Sequence, residues 1–171
     1  MTNESPSRPA TAKRKRTFHI VASKFNAQYV DGLIDHATQE LRALCPDATI
    51  SLYRVPGSFE IPVVVRELSN QNKADAIIAC GVILQGETNH AQNLSRSVTH
   101  ALQRIAVEHG VPVLNVVLHF GTENQARARC LENKINRGTE AARAAVEIAN
   151  VLSEVRSKKR AAVSKPPRDH G

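Results

Sequence analysis

The sequence is poor in aromatic residues and has no tryptophan: Phe, Tyr and Trp make up 4% of its 171 residues. A surface that stacks successive nucleic-acid bases needs exposed rings, so such a surface is not expected here. The three cysteines, Cys45, Cys80 and Cys130, are odd in number and form no CxxC pair, which argues against a disulfide framework. This use of cysteine is typical of a reducing compartment and predicts a cytoplasmic protein.

Several sequence signals are also missing. No apolar run reaches the roughly 18 residues of a membrane span, and the polar, basic N-terminus lacks the apolar region of a secretory signal. The chain has no GxxxxGK[ST], GxGxxG, GxSxG or HExxH motif and no Cys/His group with zinc spacing. We therefore predict neither a membrane association, nor a nucleotide cofactor, nor a metal site.

The net charge of +7 is unevenly distributed along the chain. Residues 1–16 carry five Lys/Arg against one Glu, and residues 156–171 carry six against one Asp. The middle, 17–155, carries twelve Lys/Arg against fourteen Asp/Glu. We predict one domain over 17–155 between two disordered basic tails. Nucleic-acid binding is therefore not expected except through the tails, and the alternative for the tails is recruitment of RNA or an acidic partner.

Strand-like apolar runs alternate with segments of helical spacing. The runs lie at 17–23, 49–55, 74–84 and 111–118. Strands that are apolar on both faces are typical of a parallel sheet covered by helices. The pattern predicts an α/β fold, a three-layer α/β/α sandwich around a four-stranded parallel sheet (flavodoxin-like). The segment 59–68 is ambiguous, because it has helical spacing but many β-branched residues.

Ligands of such folds bind at the carboxyl ends of the strands. In the first loop there, Phe25 either stacks on a flat ring or covers the sheet edge, and Asn26 is a good helix N-cap. In the second, "VPGSFEIP", Gly57 allows a close backbone approach, while Ser58 and Glu60 either cap a helix or meet a polar ligand with its free N–H groups.

The third loop contains "GETNH", residues 86–90. Gly86 permits an unusual backbone conformation, and Thr88 or Asn89 can cap the helix that follows. Free amides at a helix start form an anion site. His90 would lie beside that anion, and a histidine side chain titrates close to neutral pH, which suits proton transfer. A structural or surface histidine is the alternative.

Four stretches together resemble the lumazine synthase family of riboflavin biosynthesis. They are "FN" after the first strand, "VPGSFEIP", "GVILQGETNH" and "QARAR…NRGTEAA", in this order and at this spacing. The resemblance runs from about 18 to 153. It implies condensation of 5-amino-6-ribitylaminouracil with 3,4-dihydroxy-2-butanone 4-phosphate to 6,7-dimethyl-8-ribityllumazine, phosphate and water, with no cofactor and no metal.

The resemblance also implies a role for each matching residue. His90 would be the general acid/base, and Arg129 would bind the phosphate of the butanone. That substrate would also contact the GETNH loop, and the pyrimidine and ribityl parts would contact residues of the other loops. The residues that contact the butanone phosphate would be Gly86, Glu87 and Thr88. The residues that contact the pyrimidine and ribityl parts would be Phe25, Asn26, Ser58, Phe59, Glu60, Ile83, Leu84 and Asn115.

Members of this family form pentamers, decamers or icosahedral shells, with each site shared between neighbouring subunits, and riboflavin synthase is a candidate partner. Residues around Asn115 and Arg129 would come from the next chain. This sequence departs from the family at Asn115, where Phe is usual, and at a Thr-Thr pair that here reads His-Phe (119–120). It also has Ala128 where an acidic residue is common, and "NKINRG" for "KAGNKG". A catalytically weak flavin-binding or shell protein is the alternative function.

Overall fold

The computed structural model describes residues 4–11 and 14–164. A four-stranded, fully parallel sheet in the order β2-β1-β3-β4 carries helices on both faces, which confirms the predicted sandwich. The elements are β1 (Thr17–Ser23), α1 (Ala27–Leu44), β2 (Thr49–Val55), a 3₁₀ turn (Ser58–Glu60), α2 (Ile61–Asn70), β3 (Ala76–Leu84), α3 (His90–His109), β4 (Val113–Phe120), α4 (Glu123–Cys130) and α5 (Arg137–Val163).

The central strand β1 shows why the predicted strands are apolar throughout. Its side chains alternate between faces. Phe18 and Ile20 are buried in a core shared with α1 and α5, whereas Val21 is buried in a second core shared with α2 and α3. Each fully buried side chain of this size contributes about 1.5–3 kcal/mol relative to exposure. Both faces are therefore covered, and the two cores fix the three layers.

The ambiguous segment 59–68 is helical. It forms the 3₁₀ turn and α2, with Pro62 in the first turn, where a missing N–H costs no hydrogen bond. β3 begins two residues later than predicted, at Ala76. Asp75, just before it, accepts a hydrogen bond from Thr17 N, with 2.7 Å between N and Oδ2. In the part of the chain that the structure describes, no helix is long and apolar enough to cross a membrane.

The described residues 4–11 contact the folded domain, although the charge pattern predicts a disordered tail there. Both oxygens of Glu40 on α1 accept hydrogen bonds from Arg8, at 2.9 and 3.0 Å, and Oε1 also accepts from Arg143 Nε at 2.8 Å. The Arg8 guanidinium, and after it Arg143, holds the pKa of this carboxyl below its ordinary value. Residues 4–11 therefore contact α1 and α5, since Arg143 also donates to the Pro6 carbonyl; Lys13 lies outside the described residues.

Arg16 and the segment 156–163 also differ from the disordered tails that the charge pattern predicts. Arg16 is only 3% exposed, and its guanidinium donates to Ser153 Oγ at 2.7 Å and Asn150 Oδ1 at 2.9 Å. α5 continues to Val163, so 156–163 are helical rather than disordered. Charged side chains near this end of α5 support helix formation, as in the ion pair between Glu154 and Lys158 one turn apart. Residues 165–171 lie outside the described part.

His19 predicts a pH dependence of stability. The ring is 7% exposed, and burial lowers its pKa. The folded state thus binds this proton more weakly than the unfolded chain, so the stabilisation is complete above about pH 6.5 and is lost as the pH falls. We expect the free energy of unfolding, measured by urea titration, to fall between pH 7 and pH 5.5 with a slope of at most about 1.4 kcal/mol per pH unit from this group.

The variant His19→Gln should flatten that slope, because glutamine does not titrate. His100→Gln is the matched control, since His100 is exposed on α3 and its removal should leave the slope unchanged. Identical slopes in the wild type and His19→Gln would contradict the assignment.

Candidate functional site

A cavity of about 350 Å³ lies at the carboxyl edge of the sheet, where the sequence places the ligand. Loops after β1 and β2, the end of β3 and the start of α3 form its walls. Val82, Leu94 and Gly57 also line it, and sequence reasoning did not name the first two as site residues. Eight of the predicted site residues meet here: Phe25, Asn26, Ser58, Phe59, Glu60, Ile83, Leu84 and His90.

Two exposed phenylalanines form the rim of this cavity. Phe25 is 71% exposed and Phe59 is 67% exposed, in a chain with only four phenylalanines. Phe25 therefore does not cover the sheet edge. A Cβ placed on Gly57 would lie 3.3 Å from Phe25 Cδ2 and 3.0 Å from Glu60 Oε2, so glycine lets both side chains approach the backbone. The exposed rings leave apolar faces open to a flat ligand or to a second chain.

Asn26 precedes α1, but its side chain makes no cap hydrogen bond, contrary to the N-cap role that the sequence predicts. Its backbone is left-handed, with φ 53°, a conformation that asparagine tolerates better than most residues. Its Nδ2 donates to the carbonyl oxygen of Val82 at 2.7 Å. Because the β1–β3 pairing ends at Ala22 and Cys80, this hydrogen bond joins the loop after β1 to β3 beyond the last paired residues.

The second loop is held by Glu60 rather than by a serine cap. Glu60 Oε2 accepts a hydrogen bond from Gly57 N at 2.9 Å, and the Ser58 side chain is buried instead. Ser58 lies against β3 at Gly81, where a Cβ would be 2.6 Å from Ser58 Oγ. A larger residue at Gly81 would therefore displace the 3₁₀ turn from the sheet.

The GETNH loop is exposed, and His90 is the first residue of α3. The side chain of Asn89 makes no cap hydrogen bond; Thr88 Oγ1 accepts from His90 N at a long 3.4 Å. The first turn of α3 therefore keeps free N–H groups for an anion, beside a histidine at the cavity wall. Gly86 has no positive φ, and no described atom lies within 4 Å of a Cβ built there, so this conformation does not use the backbone freedom that glycine permits.

Gln85 orders this loop, a role that the sequence motif alone did not reveal. Its Nε2 donates to the carbonyl oxygens of Gly86 at 3.0 Å and Thr88 at 3.3 Å. Its Oε1 lies 2.6 Å from His119 Nε2, and because this amide oxygen only accepts, His119 Nε2 carries the proton. The available signal was a glutamine beside the loop and a histidine near the end of the adjacent strand, β4.

Asn115 and Arg129 are not among the residues that line the cavity. Asn115 donates to Thr99 Oγ1 at 3.1 Å and lines a separate cavity beside α5. Arg129 lies in α4, and its Nη1 is buried without a hydrogen-bond partner among the described residues. A buried guanidinium nitrogen without an acceptor is unfavourable, and an anion would satisfy it. Gly86, Glu87 and Thr88 do not line the cavity of the single chain either.

Cysteine nucleophiles and metal ligands do not define this site. All three cysteines are buried, and burial raises the pKa of both Cys80 and Cys130 to about 12, so these two thiols stay protonated at neutral pH. Within 4–11 and 14–164, no group of three or more His, Cys, Asp or Glu side chains is arranged to hold a metal ion. The remaining chemistry is hydrogen bonding, ring contact and proton transfer.

The fold and the cavity define a flavodoxin-like α/β protein with an open ligand site at the strand carboxyl ends. The model of the 6,7-dimethyl-8-ribityllumazine synthase family matches residues 15–153. A protein of that name from Azoarcus sp. (strain BH72) is 39% identical over 134 residues, which are 78% of this chain and 83% of the relative.

Two further relatives of the same name give similar values. The protein from Halorhodospira halophila is 37% identical over 81% of this chain and 89% of its own length. The protein from Polaromonas sp. (strain JS666) is 36% identical over 83% of this chain and 90% of its own length. The chain belongs to the 6,7-dimethyl-8-ribityllumazine synthase family, and is an enzyme of riboflavin biosynthesis.

Proposed function

We propose that the chain condenses 5-amino-6-ribitylaminouracil with 3,4-dihydroxy-2-butanone 4-phosphate to 6,7-dimethyl-8-ribityllumazine, phosphate and water. The observation that carries this proposal is the position of His90, at an uncapped helix start and on the wall of a cavity with an aromatic rim. That arrangement supports binding of a flat ring beside an anion, with a proton-transfer group between them.

The pyrimidine ring stacks on Phe25 in this proposal. The buried hydroxyl of Ser58 and the exposed carboxylate of Glu60 provide polar contacts for the uracil and ribityl groups. The ring also contacts other side chains that line the cavity, and the apolar side chains among them exclude water from the cavity. These remaining contacts are Asn26, Phe59, Ile83 and Leu84.

The butanone phosphate binds at the start of α3 and at Arg129. The free N–H groups of the first turn and the contacts of Gly86, Glu87 and Thr88 hold it next to His90. The amine attacks the ketone, and loss of one water gives an imine; phosphate is then eliminated, and ring closure with loss of a second water and proton transfers complete the product. His90 takes and returns protons in these steps, and Arg129 stabilises the charge of the leaving phosphate.

We propose that the site is completed by a second copy of the chain in a pentamer-based homo-oligomer in the cytoplasm. Two exposed phenylalanines on the rim, and the absence of Asn115 and Arg129 from the lining, support this. The neighbour would cover the rings, and it would bring its Arg129 to the phosphate and its Asn115 to the ring pocket. The pentamer, the decamer and the shell would differ in contacts other than this shared site.

The proposal is tested by incubating the purified protein with both substrates. We expect the fluorescent lumazine and inorganic phosphate to form in equal amounts, and more rapidly than in the protein-free reaction. Tight lumazine binding without acceleration would contradict the enzymatic proposal and favour a binding or shell protein of the same fold.

Gln85 and His119 should act as positioning residues for the GETNH loop. Each of the variants Gln85→Ala and His119→Ala removes the 2.6 Å contact between them, so we expect KM for the butanone phosphate to rise by roughly 3- to 10-fold, with a smaller change in kcat. The readout is steady-state kinetics with that substrate varied.

The double variant separates a shared network from two unrelated losses. Because both residues act through one hydrogen bond, the double variant should be little worse than Gln85→Ala alone. Gln103→Ala, at an exposed position of α3, is the control that should leave KM unchanged. Fully additive effects would contradict a common network.

A further inference from the structure

A second cavity lies at the opposite, amino-terminal edge of the sheet. Its volume is about 660 Å³, and it is bounded by the segment before β1, the loop between α2 and β3, the end of α3 and the last turns of α5. Five cationic side chains line it: Arg14, Lys15, Lys73, Arg156 and Arg160. None of these residues belongs to the site described above.

Within residues 4–11 and 14–164, the five cations of this basic cavity form no ion pair. The one lining carboxylate, Asp75, already accepts from Arg16 Nη1 at 3.3 Å and from Thr17 N at 2.7 Å. Of the five cations only Arg156 has a hydrogen bond to another described residue, donated to Gly110 O at 2.8 Å. The others form no ion pair with a described residue.

The surrounding carboxylates do not reverse this balance. Glu154, near Arg14, is paired with Lys158 at 2.8 Å. Asp47 lies in a small adjoining crevice with Arg14 and Lys15. Residues 17–155 carry more acidic than basic side chains, so the concentration of positive charge here is a local feature. Concave surfaces lined by one sign of charge strengthen the field and favour a multivalent counter-ion.

The lining also limits the chemistry of the ligand. No Phe, Tyr or Trp is among the lining residues, so the cavity has no ring on which a nucleobase could stack. Arg and Lys side chains instead match the oxygens of phosphate. We propose that the basic cavity binds a compact chain of linked phosphates, which its five lining cations neutralise together. This inference is independent of the proposed activity.

Tripolyphosphate, titrated into the full-length protein and followed by calorimetry, tests the proposal. Removing two phosphate-binding cations in the double variant Lys73→Gln, Arg160→Gln should weaken binding at least about tenfold. Both residues are exposed, so the fold should be retained. The matched control, Arg42→Gln with Arg66→Gln, removes the same charge from exposed positions of α1 and α2 and should change the affinity less than about twofold.

The titration is repeated in the Arg129→Ala variant to separate this cavity from the proposed substrate site. Binding that persists there and is lost in the Lys73, Arg160 double variant assigns the anion to the basic cavity. The proposal is overturned by absence of binding at low salt, by an equal loss in the control variant, or by binding that disappears in Arg129→Ala. Binding of single-stranded RNA in place of tripolyphosphate would also overturn it.

Discussion

Replacing His90 by alanine is expected to lower the turnover number by roughly 100- to 10,000-fold, the scale for loss of a positioned acid/base. The side chain lies on the cavity wall at the first residue of α3, next to the proposed phosphate position. Its removal leaves the ring contacts of Phe25 and the amides of α3 in place, so substrate binding should change little. The measurement is steady-state formation of the fluorescent lumazine with both substrates saturating.

His100→Ala is the matched control for this prediction. His100 is an exposed histidine of the same helix and is not among the residues that line the cavity, so its loss should leave the turnover number within about twofold of the wild type. An unchanged rate in His90→Ala, or equal losses in both variants, would contradict the role of His90 in proton transfer.

The variant Arg129→Ala is expected to raise KM for the butanone phosphate by roughly 10- to 100-fold, as a guanidinium–phosphate contact is lost. Arg129 Nη1 is buried and has no acceptor among the described residues, which suits a ligand that supplies one. The effect should be specific for the phosphate group. 5-Amino-6-ribitylaminouracil carries no phosphate, so its KM should be nearly the same in the wild type and the variant.

Arg127→Ala provides the control, because Arg127 is an exposed arginine of the same helix. It should leave KM for the butanone phosphate nearly unchanged. Equal rises in KM for both substrates would show that Arg129 supports the fold of α4 rather than binding the phosphate.

The layered architecture could be predicted because its cause is local in the sequence. Continuous apolar runs and helical spacing reflect burial on two sheet faces, and the predicted bounds of β1 and β2 are those of the structure. The ambiguity of α2 arose because β-branched residues fit either element. It is helical because Ile61, Val65 and Leu68 pack on the sheet at helical spacing.

The predicted residues that meet in the cavity follow from topology, since parallel strands end at one edge. Other features depend on contacts distant in sequence. Asn26 bonds to the carbonyl of Val82, and Gln85 bonds to His119, which no local motif encodes. The burial of Arg16 against α5 also depends on such a contact, because composition alone places this residue in a basic tail.

The chain belongs to the lumazine synthase family. We propose that its sites combine His90 of one subunit with Arg129 of the next. Co-expression of His90→Ala and Arg129→Ala chains with different tags, followed by isolation of mixed oligomers, tests it most directly. With random mixing, about a quarter of the shared sites should regain both side chains, so about a quarter of wild-type activity should return. Mixed oligomers with no more activity than the parent variants would contradict the shared site.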